Sequence, residues 1–134
     1  MSKTQVRTDA LVAPLGIWSQ AIRVGADTEL VFVSGLTSRT PDGAVYAEGD
    51  IEAQTTQVLE NLQAILAAAG ATMADVVKVT VFVRDIDEFA TIHAVRKRYF
   101  PEPYPASTMV EVSRLVDDRS LIEIEAVAVV PKGA

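Results

Sequence analysis

The segment Pro103–Val130 reads Pro-Tyr-Pro-Ala-Ser-Thr-Met-Val-Glu-Val (103–112), passes through a polar turn at 116–120, and ends in Leu-Ile-Glu-Ile-Glu-Ala-Val-Ala-Val-Val (121–130). Because side chains alternate between the two faces of a strand, this pattern predicts two strands joined as a hairpin. In the second strand, Glu123 and Glu125 share a face with Val127 and Val129. Carboxylates on a face that becomes apolar are not needed by a solvent-facing strand, so we expect functional residues there.

Outward from this segment, the chain predicts alternating strands and helices. We expect a first hairpin from strands at 17–24 and 29–35, helices at 50–70 and 85–100, and a strand at 75–84. Asp50 is suited to cap the first helix, whereas Gly70 is suited to end it. The predicted fold is a single α+β domain over 1–134, with a mixed sheet, two helices on one face and a flexible leader at 1–12. The second sheet face carries valines as well, which predicts burial by self-association.

Composition excludes several classes of protein. A chain of 134 residues with 49% hydrophobic content can bury a core without disulfides. It has no cysteine and one histidine, which excludes thiolate chemistry and a multi-histidine metal site. A net charge of -6 argues against nucleic-acid binding, and the basic run 96–98 is predicted to be a solvated helix face. We find neither a signal sequence nor a membrane span, so a cytoplasmic protein is expected.

Several motifs, in order along nearly the whole chain, resemble the Rid family, also called YjgF or RidA. They are Gly16–Ala21, Phe32–Gly35, Gln54–Asn61, Val77–Phe82, Tyr99–Phe100, Pro105–Ala106, Val110–Val112 and Ile122–Ala126. The resemblance implies a chorismate-mutase-like fold and a homotrimer with three clefts between subunits. It also implies enamine or imine hydrolysis, as of 2-aminoacrylate to a 2-keto acid and ammonia, without a cofactor or metal.

The resemblance also implies a set of site residues. Glu123 corresponds to the residue that helps position the hydrolytic water, and Gly35 to a glycine whose backbone faces the ligand. Ser107 stands where family deaminases carry an arginine that binds the substrate carboxylate. Losing that charged partner should weaken binding of a small 2-imino acid by about 2 kcal/mol or more.

Three further pocket positions differ from the family pattern. Trp18 stands at an aromatic position that is often tyrosine, His93 replaces an asparagine, and Met109 replaces a cysteine. Trp18 either stacks on a planar substrate or fills space opened by Ser107. His93 is either a proton shuttle or a core residue, and Glu123 is either catalytic or a structural carboxylate at a subunit contact.

Together these residues predict a deaminase-type hydrolase that cleaves a C–N bond. Its substrate would be an enamine, an imine or a related small unsaturated acid other than the usual 2-aminoacrylate. The alternative is a non-catalytic trimer that binds a small-molecule metabolite in the same clefts.

Overall fold

The computed structural model describes residues 3–133 and contains six strands and two α-helices within that range. They are, in chain order, β1 (Lys3–Val6), β2 (Ala21–Val24), β3 (Thr28–Leu36), α1 (Ile51–Ala68), β4 (Val76–Val83), α2 (Phe89–Tyr99), β5 (Ala106–Glu111) and β6 (Ile122–Pro131). Four strands form one sheet in the order β3-β6-β4-β5, while β1 and β2 form a separate ribbon. The mixed sheet with two helices confirms the predicted α+β class.

The second predicted hairpin is wrong, because β5 and β6 are not neighbours. Strand β4 lies between them and pairs parallel to β5 and antiparallel to β6. Helix α2 connects β4 to β5, and parallel strands require such a crossover connection. The β5–β6 connection therefore spans one intervening strand instead of closing a tight turn.

The first predicted hairpin is also wrong. Strand β2 pairs antiparallel with β1, with Lys3 opposite Val24, instead of pairing with β3. Lys3 is buried, and its Nζ donates to the carbonyl oxygens of Ala74 at 3.1 Å and Val76 at 2.8 Å. These bonds tie β1, which lies inside the stretch predicted to be a leader, to the start of β4. Residues 1 and 2 lie outside the described residues.

Helix α1 has the predicted ends and one fully buried face. The Asp50 carboxylate accepts from the Ala53 N–H at 3.0 Å, and Gly70 adopts a φ of +77° just after the helix. Val58, Leu62 and Leu66 are fully buried. Ile65, on the same helix, is 45% exposed.

The two faces of β6 differ as predicted. Ile122, Ile124, Ala126 and Ala128 are buried in the core that the helices cover. The opposite surface, which we call the open face, bears Leu30, Phe32, Phe82, Val110, Glu123, Glu125 and Val127. Phe32 is 75% exposed there and Leu30 is 52% exposed. Within the described chain, neither helix is long and apolar enough to span a membrane.

Candidate functional site

Glu123 and Gly35 meet on the open face of the sheet. The pairing of β3 with β6 shifts register between Val33 and Leu36, which places Gly35 in an irregular part of the strand. A methyl group at Gly35 would overlap the Glu123 carboxylate and lie 2.8 Å from its Cδ. Glycine therefore allows the carboxylate to rest directly against the backbone of β3.

The surroundings of Glu123 combine partial burial with an unpaired charge. Its partner on β4 is Phe82, so the carboxylate lies beside an aromatic position. Glu123 is half-buried. None of the ion pairs formed within residues 3–133 involves it. An unpaired carboxylate of this kind can hydrogen-bond a water molecule and accept its proton.

His93 is held on the helix side of the sheet by the backbone before β2. Its Nε2 accepts from the Ile17 N–H at 2.8 Å, and its ring stacks on Phe89 with centroids 4.6 Å apart. A methyl group at Gly16 would overlap the ring, so glycine permits this close approach. Burial and the charge of Arg96 lower the pKa of His93. With Nε2 accepting, the neutral ring carries its proton on Nδ1, which is buried without a hydrogen-bond partner.

The run 96–98 was predicted to be a solvated face; Lys97 and Arg98 are exposed as predicted, but for Arg96 the prediction is wrong. Its side chain is buried, with a relative exposure of 2%. Nη2 donates to Ser107 Oγ at 2.8 Å and to the Ile17 carbonyl at 3.3 Å. Burial lowers the pKa of Arg96 to about 10, which leaves the guanidinium protonated at neutral pH.

A signal for Arg96 was present in the sequence. It falls on the same helical stripe as Ile92, His93 and Phe100, and residues on one stripe share one face. A basic residue on a core-facing stripe indicates a buried charge. The run 96–98 was nevertheless interpreted as a solvated face, since charge runs usually mark such faces.

The remaining predicted residues are Ser107 and Met109 on β5 and Trp18 before β2. Ser107 and Met109 point to the same face of β5, opposite Val79 and Val81 of β4. Trp18 is half-buried and lines a small cavity of 170 Å³ with Gln5, Arg7, Gly16, Glu102 and Tyr104, among others. The main-chain N–H of Ser19 donates to the Pro105 carbonyl at 3.0 Å, which fixes the Trp18 segment beside the start of β5.

Within one chain, the predicted residues therefore form two groups. Glu123 and Gly35 lie on the open face, whereas His93 and Ser107 lie on the helix side of the same sheet. A cleft shared by His93 and Glu123 would thus need a second copy of the chain, and it stays a prediction. A larger cavity of 650 Å³ between the ends of α1 and α2 contains none of the predicted residues. The described residues hold no cluster of three potential metal ligands.

A mixed sheet covered by two helices, with an unpaired, half-buried carboxylate on its open face, defines a small α+β protein with a candidate hydrolytic site. The chain matches the sequence profile of the family described as Endoribonuclease L-PSP over residues 8–130. It belongs to this family, whose members include the Rid proteins.

Two relatives are similar to the chain over nearly its whole length. A RutC family protein of Pyrococcus abyssi is 45% identical over 128 residues, covering 96% of this chain and 98% of the relative. A protein of Salmonella typhimurium named 2-iminobutanoate/2-iminopropanoate deaminase is 42% identical over 132 residues, covering 96% and 98%.

Solved structures agree with this relationship. The Rid family protein YyfB of Yersinia pestis superposes with a TM-score of 0.84 at 28% identity, covering 97% of this chain and 100% of that one. RidA of a Psychrobacter species gives 0.71 at 35% identity, covering 95% and 99%.

Proposed function

We propose that the protein is a cytoplasmic, homotrimeric hydrolase that deaminates an enamine or imine of a small acid in clefts between subunits. The observation that carries the proposal is the unpaired carboxylate of Glu123, which lies against the backbone of Gly35 on the open face. The Salmonella relative named as an imino-acid deaminase supports the same reaction class.

The proposed reaction is addition of water to the imine carbon. The substrate reacts as its protonated iminium form, and Glu123 accepts one proton from the water as the hydroxyl oxygen bonds to the iminium carbon, which gives a neutral carbinolamine. The proton on Glu123 then passes to the amino nitrogen. The C–N bond breaks as the hydroxyl group loses its proton, and this releases ammonium and a 2-oxo acid. A second proton transfer through His93 would use Nδ1, because Nε2 accepts from Ile17, and it would require this buried atom to become accessible to the substrate.

The charge distribution favours this reaction over RNA cleavage. The net charge is -6, and Arg96 of the single basic run is buried instead of forming a phosphate-binding surface. Phosphate-backbone binding depends on clustered exposed Lys and Arg side chains.

The test is turnover of 2-iminobutanoate, generated in situ and followed by detection of 2-oxobutanoate. Glu123→Gln should lower kcat by at least about 100-fold, since a positioned general base contributes 10²–10⁴-fold. Glu125→Gln removes an equal charge two residues further along the same face and should change kcat little. A wild-type protein that binds 2-oxobutanoate but hydrolyses no imine would favour the non-catalytic alternative.

A further inference from the structure

The guanidinium of Arg96 is a buried charge with only neutral partners. Its hydrogen bonds reach a backbone carbonyl and a serine hydroxyl, and its Nε is buried without a partner. Its Cζ lies 5.9 Å from the centroid of the Phe100 ring. None of the ion pairs formed within residues 3–133 involves Arg96. Burying a charge without a counter-ion is costly, so folded proteins normally pair it.

Ser107 lies between the Arg96 guanidinium and the protein surface. Its Oγ accepts from Arg96 Nη2, and because arginine has no acceptor, the hydroxyl proton of Ser107 must point elsewhere. Ser107 is half-buried, so the guanidinium lies one side chain below the surface. A hydroxyl that accepts from a cation becomes a stronger donor, because successive hydrogen bonds polarise one another.

We propose that Arg96 and Ser107 together bind the carboxylate of the substrate. The Ser107 hydroxyl donates to the carboxylate directly, and the Arg96 guanidinium behind it supplies the compensating positive charge. Arg96 is thus a positioning residue, whereas Ser107 contacts the ligand. The inference rests on the proposed function for the identity of the ligand, a 2-oxo or 2-imino acid. It reverses the expectation that Ser107 leaves this site without a cation.

The test compares two ligands of nearly equal shape, 2-oxobutanoate and its neutral amide, by isothermal titration calorimetry. Wild-type protein should bind the acid at least about tenfold more tightly than the amide, as expected for a charge-assisted hydrogen bond. Arg96→Gln should remove this preference by weakening the acid about tenfold while changing the amide less than about threefold. Ser107→Ala should weaken the acid as well.

Lys97→Gln is the matched control, because it removes an exposed positive charge at the next position and should keep the preference for the acid. A purely structural Arg96 would lower the melting temperature of the Arg96→Gln variant and leave the acid-to-amide ratio unchanged, which would overturn the proposal. Equal wild-type affinities for acid and amide, or binding of neither, would overturn it too. If Arg96→Gln does not fold, the proposal is tested by the ratio of the wild-type affinities for acid and amide and by the affinity of Ser107→Ala for the acid.

These measurements are independent of turnover. An Arg96-dependent preference for the acid without imine hydrolysis would leave the carboxylate site standing and contradict the proposed activity. Imine hydrolysis by a protein with no preference for the acid would support the proposed activity and contradict the carboxylate site.

Discussion

The side chain of Glu123 leaves room only for glycine at position 35. The end of the Glu123 side chain occupies the space that any Cβ at position 35 would need. Because that end is flexible, Gly35→Ala should displace the carboxylate instead of unfolding the protein. We expect kcat/KM to fall by about 100-fold, the cost of misplacing a catalytic group by about 1 Å.

The matched control for Gly35→Ala is Ser34→Ala, which makes a small change at the preceding exposed position. Its kcat/KM and melting temperature should resemble those of the wild type. Full activity in Gly35→Ala would show that the position of the carboxylate against β3 has no role in turnover.

His93 makes a separate prediction for pH, because its pKa in the folded protein is lowered by burial and by Arg96. The unfolded chain should titrate near the usual value of about 6.5. Below about pH 6.5, the unfolded state therefore binds more protons than the folded state does. Neutral His93 contributes to the free energy of unfolding at higher pH, and this contribution is lost as the pH falls through the folded pKa. His93→Gln should abolish this part of the pH dependence.

The measurement is direct because the chain contains one histidine, so its imidazole NMR signals are unambiguous in tag-free protein. A midpoint at or above about 6.5 would contradict the prediction. Urea unfolding of the wild type and of His93→Gln at several pH values then gives the free energy of unfolding of each protein as a function of pH, and the two slopes are compared.

At the scale of elements, the sequence predicted five of the six strands, all except β1, but it did not predict which strands are neighbours. Period-two alternation identifies the faces of β6, yet it carries no information about pairing. A signal for the β4–β5 pairing was present, since a strand, a helix and a strand in succession favour a parallel pair. For the candidate site, the resemblance to the Rid family predicted Glu123, Gly35 and Ser107, and these stay predictions, whereas Arg96 is connected to them only by its tertiary contact with Ser107.

Helix α1 is joined to the loop before β6 through one buried side chain. Gln54 Nε2 donates to the Arg119 carbonyl, and its Oε1 accepts from the Leu121 N–H, both at 2.8 Å. Gln54→Ala would leave two backbone groups without these partners, so we expect a loss of about 2–4 kcal/mol in the free energy of unfolding. Urea denaturation is the measurement.

Gln63→Ala is the control for Gln54→Ala, because it truncates the same side chain at an exposed position of α1. It should change the free energy of unfolding by less than about 0.5 kcal/mol. Equal effects of the two substitutions would show that the Gln54 bonds contribute nothing specific.

At the scale of the whole molecule, the open face concerns both the assembly of the protein and its candidate site. Phe32 is 75% exposed beside the half-buried Val127 of β6, and Leu30 and Val110 extend the apolar surface. Apolar patches of this kind mark interaction sites. A second copy on this face would also bring a foreign chain close to Glu123, as a shared cleft requires.

Phe32→Glu should therefore disrupt both assembly and activity. A charge at the centre of an apolar interface costs its desolvation, so we expect the variant to shift from trimer to monomer. Light scattering after size exclusion distinguishes a 14.4 kDa chain from three times that mass. Val116→Glu, at a loop position that is 98% exposed, should remain trimeric. A wild-type protein that is monomeric at micromolar concentration would contradict the trimer, and a monomeric Phe32→Glu variant with full turnover would contradict a site shared between subunits.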